Sequence, residues 1–232
     1  METIGLLGGM SWQSSVSYYQ AINQEIHQRL GGLHSAKLIL NSVDFAPIAQ
    51  LQSEGDWPAM AELLSLEAQK LERAGAESLV ICTNTMHKVA DAVQQAIDIP
   101  LLHIADATGQ KLRDDNIETV GLLGTAFTME QEFYKGRLSD KFNLSVCVPN
   151  EQGRGCVHDI IYQELCQGIV RDESRAQYRQ IIDELVKDGA QGIILGCTEI
   201  GLLVKQTHVD IPLYDTVQVH AKAAVDWALG EI

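Results

Sequence analysis

Thr3-Ile4-Gly5-Leu6-Leu7-Gly8 returns, with one residue changed, as Thr119-Val120-Gly121-Leu122-Leu123-Gly124, an offset of 119 − 3 = 116 residues. Further landmarks repeat in the same order. Leu71-x-x-x-Gly75-Ala76, leading to Cys82-Thr83, is answered by Leu185-x-x-x-Gly189-Ala190, leading to Cys197-Thr198, with 197 − 82 = 115. Asp98-Ile99-Pro100-Leu101 is answered by Asp210-Ile211-Pro212-Leu213, with 210 − 98 = 112. Gly-Leu-Leu-Gly alone is a common strand end, but three matched landmarks in one order imply a duplicated unit.

Working outward, short apolar runs at 3–7, 36–43, 78–81 and 101–104, then at 119–123, 144–148, 192–195 and 212–214, alternate with helical patterns. That alternation predicts an α/β protein with mainly parallel sheets. Residues 56–74 place Met60, Leu63, Leu64, Ala68 and Leu71 near the helical period, and 175–187 do the same with Tyr178, Ile181, Ile182 and Leu185. The expected fold is two α/β lobes related by an approximate twofold axis, each a mainly parallel sheet flanked by helices, with the active site in the cleft between them. The expected division is 1–98 plus 214–232 for the first lobe and 99–213 for the second. The chain would cross near 99–106 and return near 211–215, and a final helix over 217–229 would pack on the first lobe.

Composition narrows the function. A formal net charge of −14 repels nucleic-acid backbones and anionic membranes, so neither is expected as a partner. The opening Met1-Glu2-Thr3-Ile4 lacks the basic region of a signal peptide, and no apolar run approaches the roughly 18 residues of a membrane span, so a cytoplasmic address is expected. Five cysteines without CxxC spacing favour free thiols, with Cys147, Cys156 and Cys166 read as structural. No Cys/His pair has zinc spacing and no lysine is recognisable as a Schiff-base partner of pyridoxal phosphate, so no metal and no cofactor are expected. Gly5-x-x-Gly8-Gly9 lacks the GxGxxG spacing of a dinucleotide site.

The chemistry concentrates at the two Cys-Thr sites. Each cysteine closes an apolar strand ahead of an expected helix start, and ligands of open α/β sheets bind outside the carboxyl ends of strands. Helix N-termini there offer N–H groups to a carboxylate and can lower a thiol pKa. Two equivalent thiols, Cys82 and Cys197, suit a racemase, which must remove a proton from one face of an α-carbon and return one to the other. A free thiol of pKa about 8.5 is only roughly 3% thiolate near neutral pH, so the surroundings must set which thiol is base and which is acid.

The motifs Gly8-Gly-Met-Ser-Trp12, Cys82-Thr-Asn-Thr-Met-His87 and Gly196-Cys-Thr-Glu-Ile-Gly201 resemble those of the cofactor-independent aspartate/glutamate racemases, and the resemblance runs through essentially the whole chain. Within that family they are similar to the enterobacterial branch of broad-specificity amino-acid racemases. The resemblance implies that Cys82 and Cys197 are catalytic and that Met10, Ser11, Thr83, Asn84, Thr85 and Thr198 hold the substrate's α-carboxylate and ammonium. It also implies a homodimer. Glu199 is a candidate to orient the neighbouring thiol or to accept from the ammonium, and Thr125 and Thr128 to reach the cleft, while His87, on the expected helix, takes a packed or solvent-facing place. Strict aspartate racemases of the family pair the substrate's second carboxylate with basic residues. Ile48 and Cys166 stand at those places here, with Gln52 nearby as a neutral amide, so uncharged, homoserine-like side chains are expected as substrates. The alternatives are another Cys-dependent isomerase or decarboxylase, a thiol hydrolase in which one cysteine suffices, and a non-catalytic small-molecule binding protein.

Overall fold

The structure is a computed structural model describing residues 1–231. The chain forms two compact units, Met1–Ile104 with His220–Ile232, and Ala105–Val219.

The first unit opens with β1 (Ile4–Gly8), α1 (Trp12–Leu30), β2 (Leu38–Ser42), α2 (Phe45–Glu54), α3 (Trp57–Arg73) and β3 (Ser78–Ile81). A 3₁₀ turn over Thr85–Val89 and the short α4 (Ala90–Gln95) follow. Its three strands lie in the order β2-β1-β3, all parallel. The segment 101–104 contributes only a single parallel bridge, Leu79 to Leu101, rather than the strand its apolar run suggests. Helix α5 (Ile104–Asp114) starts there and ends the extended backbone.

The second unit continues through β4 (Thr119–Gly124), α6 (Ala126–Glu130), α7 (Glu132–Phe142), β5 (Ser145–Cys147), α8 (Glu151–Gln163), α9 (Asp172–Lys187) and β6 (Gly192–Gly196). Then come α10 (Ile200–Leu203), β7 (Leu213–Asp215) and α11 (Thr216–Ala228), whose later part belongs to the first unit. The strand order β5-β4-β6-β7 is again all parallel and repeats that of the first unit, with β7 taking the place of the Leu101 bridge.

Local sequence explains the packing. Helix α3 starts at Asp56, whose carboxylate caps Ala59 N at 3.0 Å, and it buries Met60, Leu64, Ala68 and Leu71 on one face. Helix α9 buries Tyr178, Ile181, Ile182 and Leu185 in the same manner. Both helices press on their central strands at a glycine. A Cβ on Gly5 would meet Ala76 Cβ at 2.8 Å, and one on Gly121 would meet Ile193 Cδ1 at 2.6 Å and Leu185 Cδ1 at 3.0 Å. The repeated Gly-Leu-Leu-Gly therefore marks strands that neighbouring side chains approach closely, most tightly at Gly5, where Ala76 Cβ and Ser78 O cannot move aside as a flexible side-chain end can. Among the described residues no helix is long and apolar enough to cross a membrane.

Candidate active site

In the first unit the chain leaves β1 through Gly8-Gly9-Met10-Ser11. Gly9 has φ of +94°, and a Cβ there would fall 2.2 Å from Val43 O, so only glycine fits beside the β2 exit. Its N–H donates to Ser15 Oγ at 2.7 Å. Ser11 caps α1, accepting from Ser14 N at 3.3 Å, and Met10 is buried against the core that contains Ile48. The Ser14 hydroxyl donates to the carbonyl of Cys82 at 2.7 Å, joining the β1 and β3 exits. Gln52 is buried on α2, one turn beyond Ile48.

Cys82 extends the β3 pairing, its N–H donating to Leu7 O at 2.9 Å. Its side chain is 0% exposed and its thiol points to Val80 O at 3.9 Å. Burial pushes that thiol pKa well above the ordinary thiol range. Thr83 is half-buried, while Asn84 and Thr85 are buried at the start of the 3₁₀ turn.

The second unit presents a related arrangement. Thr125 caps α6, accepting from Thr128 N at 3.4 Å, and the two hydroxyls lie 3.3 Å apart. Beyond β6, Cys197 Sγ donates to Glu199 Oε2 at 3.0 Å, and Thr198 Oγ1 donates to the same oxygen at 2.6 Å. Glu199 is buried, whereas Cys197 and Thr198 are half-buried. Burial, then the charge and hydrogen bond of Glu199, hold the Cys197 thiol protonated well above the usual range. Cys166 packs against the second core, its thiol pushed up to about 12 by burial and then by Glu199.

Strand register relates the two sites. Leu7 pairs with Ile81 and Leu123 with Leu195, and Leu7 and Leu123 are equivalent in the repeat, since 123 − 7 = 116. Ile81 and Leu195 thus hold matching places at an offset of 195 − 81 = 114, one less than the offset that aligns the cysteines. The register therefore matches Cys82 to Gly196 and Thr83 to Cys197. Burial agrees: Cys82 and Gly196 are buried, Thr83 and Cys197 half-buried.

The structure also brings in residues that the motifs did not single out. Ser14 reads as an ordinary helix residue, yet it binds the Cys82 carbonyl. His103 and His220 meet the His87 ring and Tyr18 meets His220; of the packed and solvent-facing places open to His87, it takes the packed one. Asp215, half-buried at the end of β7, accepts from Val217 N and Gln218 N, and desolvation raises its carboxyl pKa. Sequence spacing gave no sign of the histidine cluster, because its members come from three separate segments. Among the described residues no group of three His, Cys, Asp or Glu side chains is placed to hold a metal ion.

Each of the two parallel α/β units thus carries one thiol and neighbouring hydroxyl side chains in the turn beyond a strand, Cys82-Thr83 after β3 and Cys197-Thr198 after β6. The chain belongs to the Asp/Glu/Hydantoin racemase family, whose model matches residues 7–224. It is 54% identical to a protein from Yersinia pestis of known crystal structure, itself only provisionally described as an Asp/Glu racemase. The TM-score is 0.94, with 99% of this chain and 100% of the other covered. An aspartate racemase homologue from Pyrococcus horikoshii OT3 is 32% identical with TM-score 0.86, over 99% and 100% of the two chains. The broad specificity amino-acid racemase RacX of Bacillus subtilis (strain 168) is 26% identical over 163 residues, 70% of each chain.

Proposed function

We propose that this protein interconverts the L and D forms of an amino acid in the cytoplasm, without pyridoxal phosphate or metal, by proton transfer at the two faces of the α-carbon. Cys197 serves one face, and the Cys82-Thr83 turn serves the other. The mechanism requires two acid/base groups, one for each face of the α-carbon. The observation that carries the reading is the matched pair of exits, Cys82-Thr83 after β3 and Gly196-Cys197 after β6, in a chain of this family.

The residues divide the work by their chemistry. Removing an α-proton leaves enediolate-like charge on the substrate carboxylate, which N–H and hydroxyl donors must stabilise. Asn84, Thr85, Thr125, Thr198, Met10 and Ser11 stand at strand exits where such donors are needed. Gln52 supplies a neutral amide. Glu199 accepts the Cys197 proton and sets which form of that thiol meets the substrate.

The turn over 82–83 admits two assignments. In the two-thiol form Cys82 is the second acid/base, and its sulfur must turn away from Val80 O. In the other form Thr83 faces the substrate, and Cys82 is core beneath it. Strand register and burial favour Thr83. In that form the Thr83 hydroxyl gives its proton to the carbanion, or takes one from the α-carbon in the reverse direction, and being a much weaker acid than a thiol it makes the two faces unequal.

The substrate reading is breadth. Ile48 lies in one apolar core and Cys166 packs half-buried against the other, and neither side chain offers a positive charge for a second carboxylate. The similarity to RacX, a racemase named for broad specificity, supports tolerance of more than one side chain, and uncharged ones such as homoserine follow from the missing charges at Ile48 and Cys166. The family description also names hydantoins, which keeps a ring-containing substrate as a second reading. A homodimer is supported by Trp12, Val16 and Tyr19, which are 64%, 54% and 55% exposed and share one face of α1 by their spacing. Turnover of a panel of L-amino acids and hydantoins, followed by chiral chromatography, tests the reading. D-product from homoserine-like substrates is expected, and turnover confined to aspartate and glutamate contradicts the substrate assignment.

A further inference from the structure

Behind the Cys82-Thr83 turn, unit 1 holds two linked hydrogen-bond pairs. Tyr18 Oη lies 2.8 Å from His220 Nδ1, and His220 Nε2 lies 2.7 Å from Leu102 O. A carbonyl only accepts, so His220 carries its proton on Nε2 and takes the tyrosine proton at Nδ1. Two residues along, Ile104 N donates to His87 Nε2 at 3.2 Å. The His87 proton must then sit on Nδ1, which donates to Thr83 O at 2.8 Å. The rings meet edge-on, His87 to His103 at 4.6 Å and His87 to His220 at 5.8 Å between centroids. Burial, then the neighbouring His103 and His220, keep His87 neutral, so this tautomer is stable near neutral pH.

The second unit lacks the device, although its frame is the same. Tyr134 answers Tyr18, since 134 − 18 = 116, and Thr108 answers His220, since 220 − 108 = 112. Their contact is kept, with Tyr134 Oη donating to Thr108 Oγ1 at 3.2 Å. Asp215 answers His103, since 215 − 103 = 112, and the register offset of 114 sets Gly201 against His87, since 201 − 87 = 114. A Cβ on Gly201 would lie 2.9 Å from Asp215 Oδ2, so the paired places adjoin in both units. In unit 2 the carbonyl of Cys197 is taken by a backbone donor, Ile200 N at 3.1 Å. In unit 1 the matching carbonyl, that of Thr83, is taken by a side chain.

We propose that His87 is a positioning residue, whose Nδ1–H holds the Thr83 carbonyl and thereby fixes the peptide that carries the proton-transferring side chain of unit 1. Its kinetic consequence rests on the racemase reading above; its structural consequence does not. The backbone bonds of the 3₁₀ segment begin one residue later, with His87 N donating to Asn84 O at 3.1 Å, and the Thr83 carbonyl takes the His87 side chain as donor. Ile104 and the Tyr18–His220–Leu102 pair hold its ring.

Two amide substitutions separate the contacts. His87→Asn keeps an N–H donor near the Nδ1 position and loses the acceptor for Ile104 N, whereas His87→Gln reaches the Nε2 position and loses the donor to Thr83. With the folded variants, kcat and KM are measured beside amide hydrogen exchange of the segment 82–86. Misplacement of a reacting group by about 1 Å can cost as much as ~100-fold in rate. His87→Gln should lower kcat about 10- to 100-fold with a much smaller change in KM, and should speed exchange of the segment. His87→Asn should stay within about 5-fold of wild type in both. Should His87→Gln not fold, Tyr18→Phe carries the test, with a smaller loss in kcat and a smaller gain in exchange. Equal losses in His87→Asn and His87→Gln, or wild-type kcat and exchange in His87→Gln or in its Tyr18→Phe substitute, overturn the proposal. If wild-type protein racemises nothing, the racemase reading fails separately, and the exchange difference between the two variants still decides the role of His87.

Discussion

The thiol of Cys197 donates to Oε2 of Glu199 across 3.0 Å, so a buried carboxylate stands directly behind one of the two proposed acid/base groups. Both burial and the carboxylate charge raise the thiol pKa. Glu199→Gln removes the charge and leaves the burial. The Cys197 alkylation midpoint should move to lower pH while remaining above that of a free cysteine, as read by peptide-resolved iodoacetamide labelling. An upward shift would contradict the electrostatic role given to Glu199.

Strand register predicts unequal effects at the 82–83 turn. Cys82→Ala removes a fully buried side chain and should cost stability on the order of 1–2 kcal/mol while keeping activity within about 10-fold of wild type. Thr83→Ala should lower kcat by about 100-fold or more, the scale of one acid/base group. Steady-state kinetics and urea unfolding check both. The reverse ordering would restore Cys82 as the second acid/base.

Gly9 tests the β1 exit. Gly9→Ala places a Cβ against Val43 O in a left-handed backbone, which should destabilise the first unit by roughly 1–3 kcal/mol and lower activity with it. Thermal unfolding measures the first effect. A wild-type melting temperature would show that β1 and β2 can separate locally without cost.

Acid should weaken the fold through His87. Its folded pKa is depressed by burial and then by His103 and His220, so below about pH 6.5 the unfolded chain binds a proton that the folded chain does not. Stability is then lost as pH falls from about 6.5, at up to ~1.4 kcal/mol per pH unit from this group. His87→Leu should be less stable at pH 7 yet show a shallower loss between pH 7 and 5 in denaturant titrations. An unchanged slope would mean that His87 is protonated in the folded protein.

The duplicated parallel architecture was legible because it is written in local signals: Gly-Leu-Leu-Gly before each first helix, and apolar four-residue spacing in α3 and α9. The weak fourth strand of unit 1 was not, because the apolar run 101–104 says nothing of the helix that begins at Ile104. The candidate site was half legible. Cysteines are conspicuous residues, so aligning them was natural, but strand pairing counts backbone positions and puts Thr83 opposite Cys197's place in the repeat. Glu199 could be suspected from its position two residues on, whereas the His87 frame joins residues 18, 87, 102, 104 and 220, which only folding brings together.

The most direct test follows the α-proton in D₂O with each enantiomer of a turned-over amino acid. Proton transfer at two faces predicts that, early in the reaction, the inverted product carries deuterium at the α-carbon while remaining substrate is little labelled. Cys197→Ser should abolish inversion and leave at most exchange with one enantiomer. Inverted product that retains the substrate's own α-hydrogen, or full inversion by Cys197→Ser, would contradict the account.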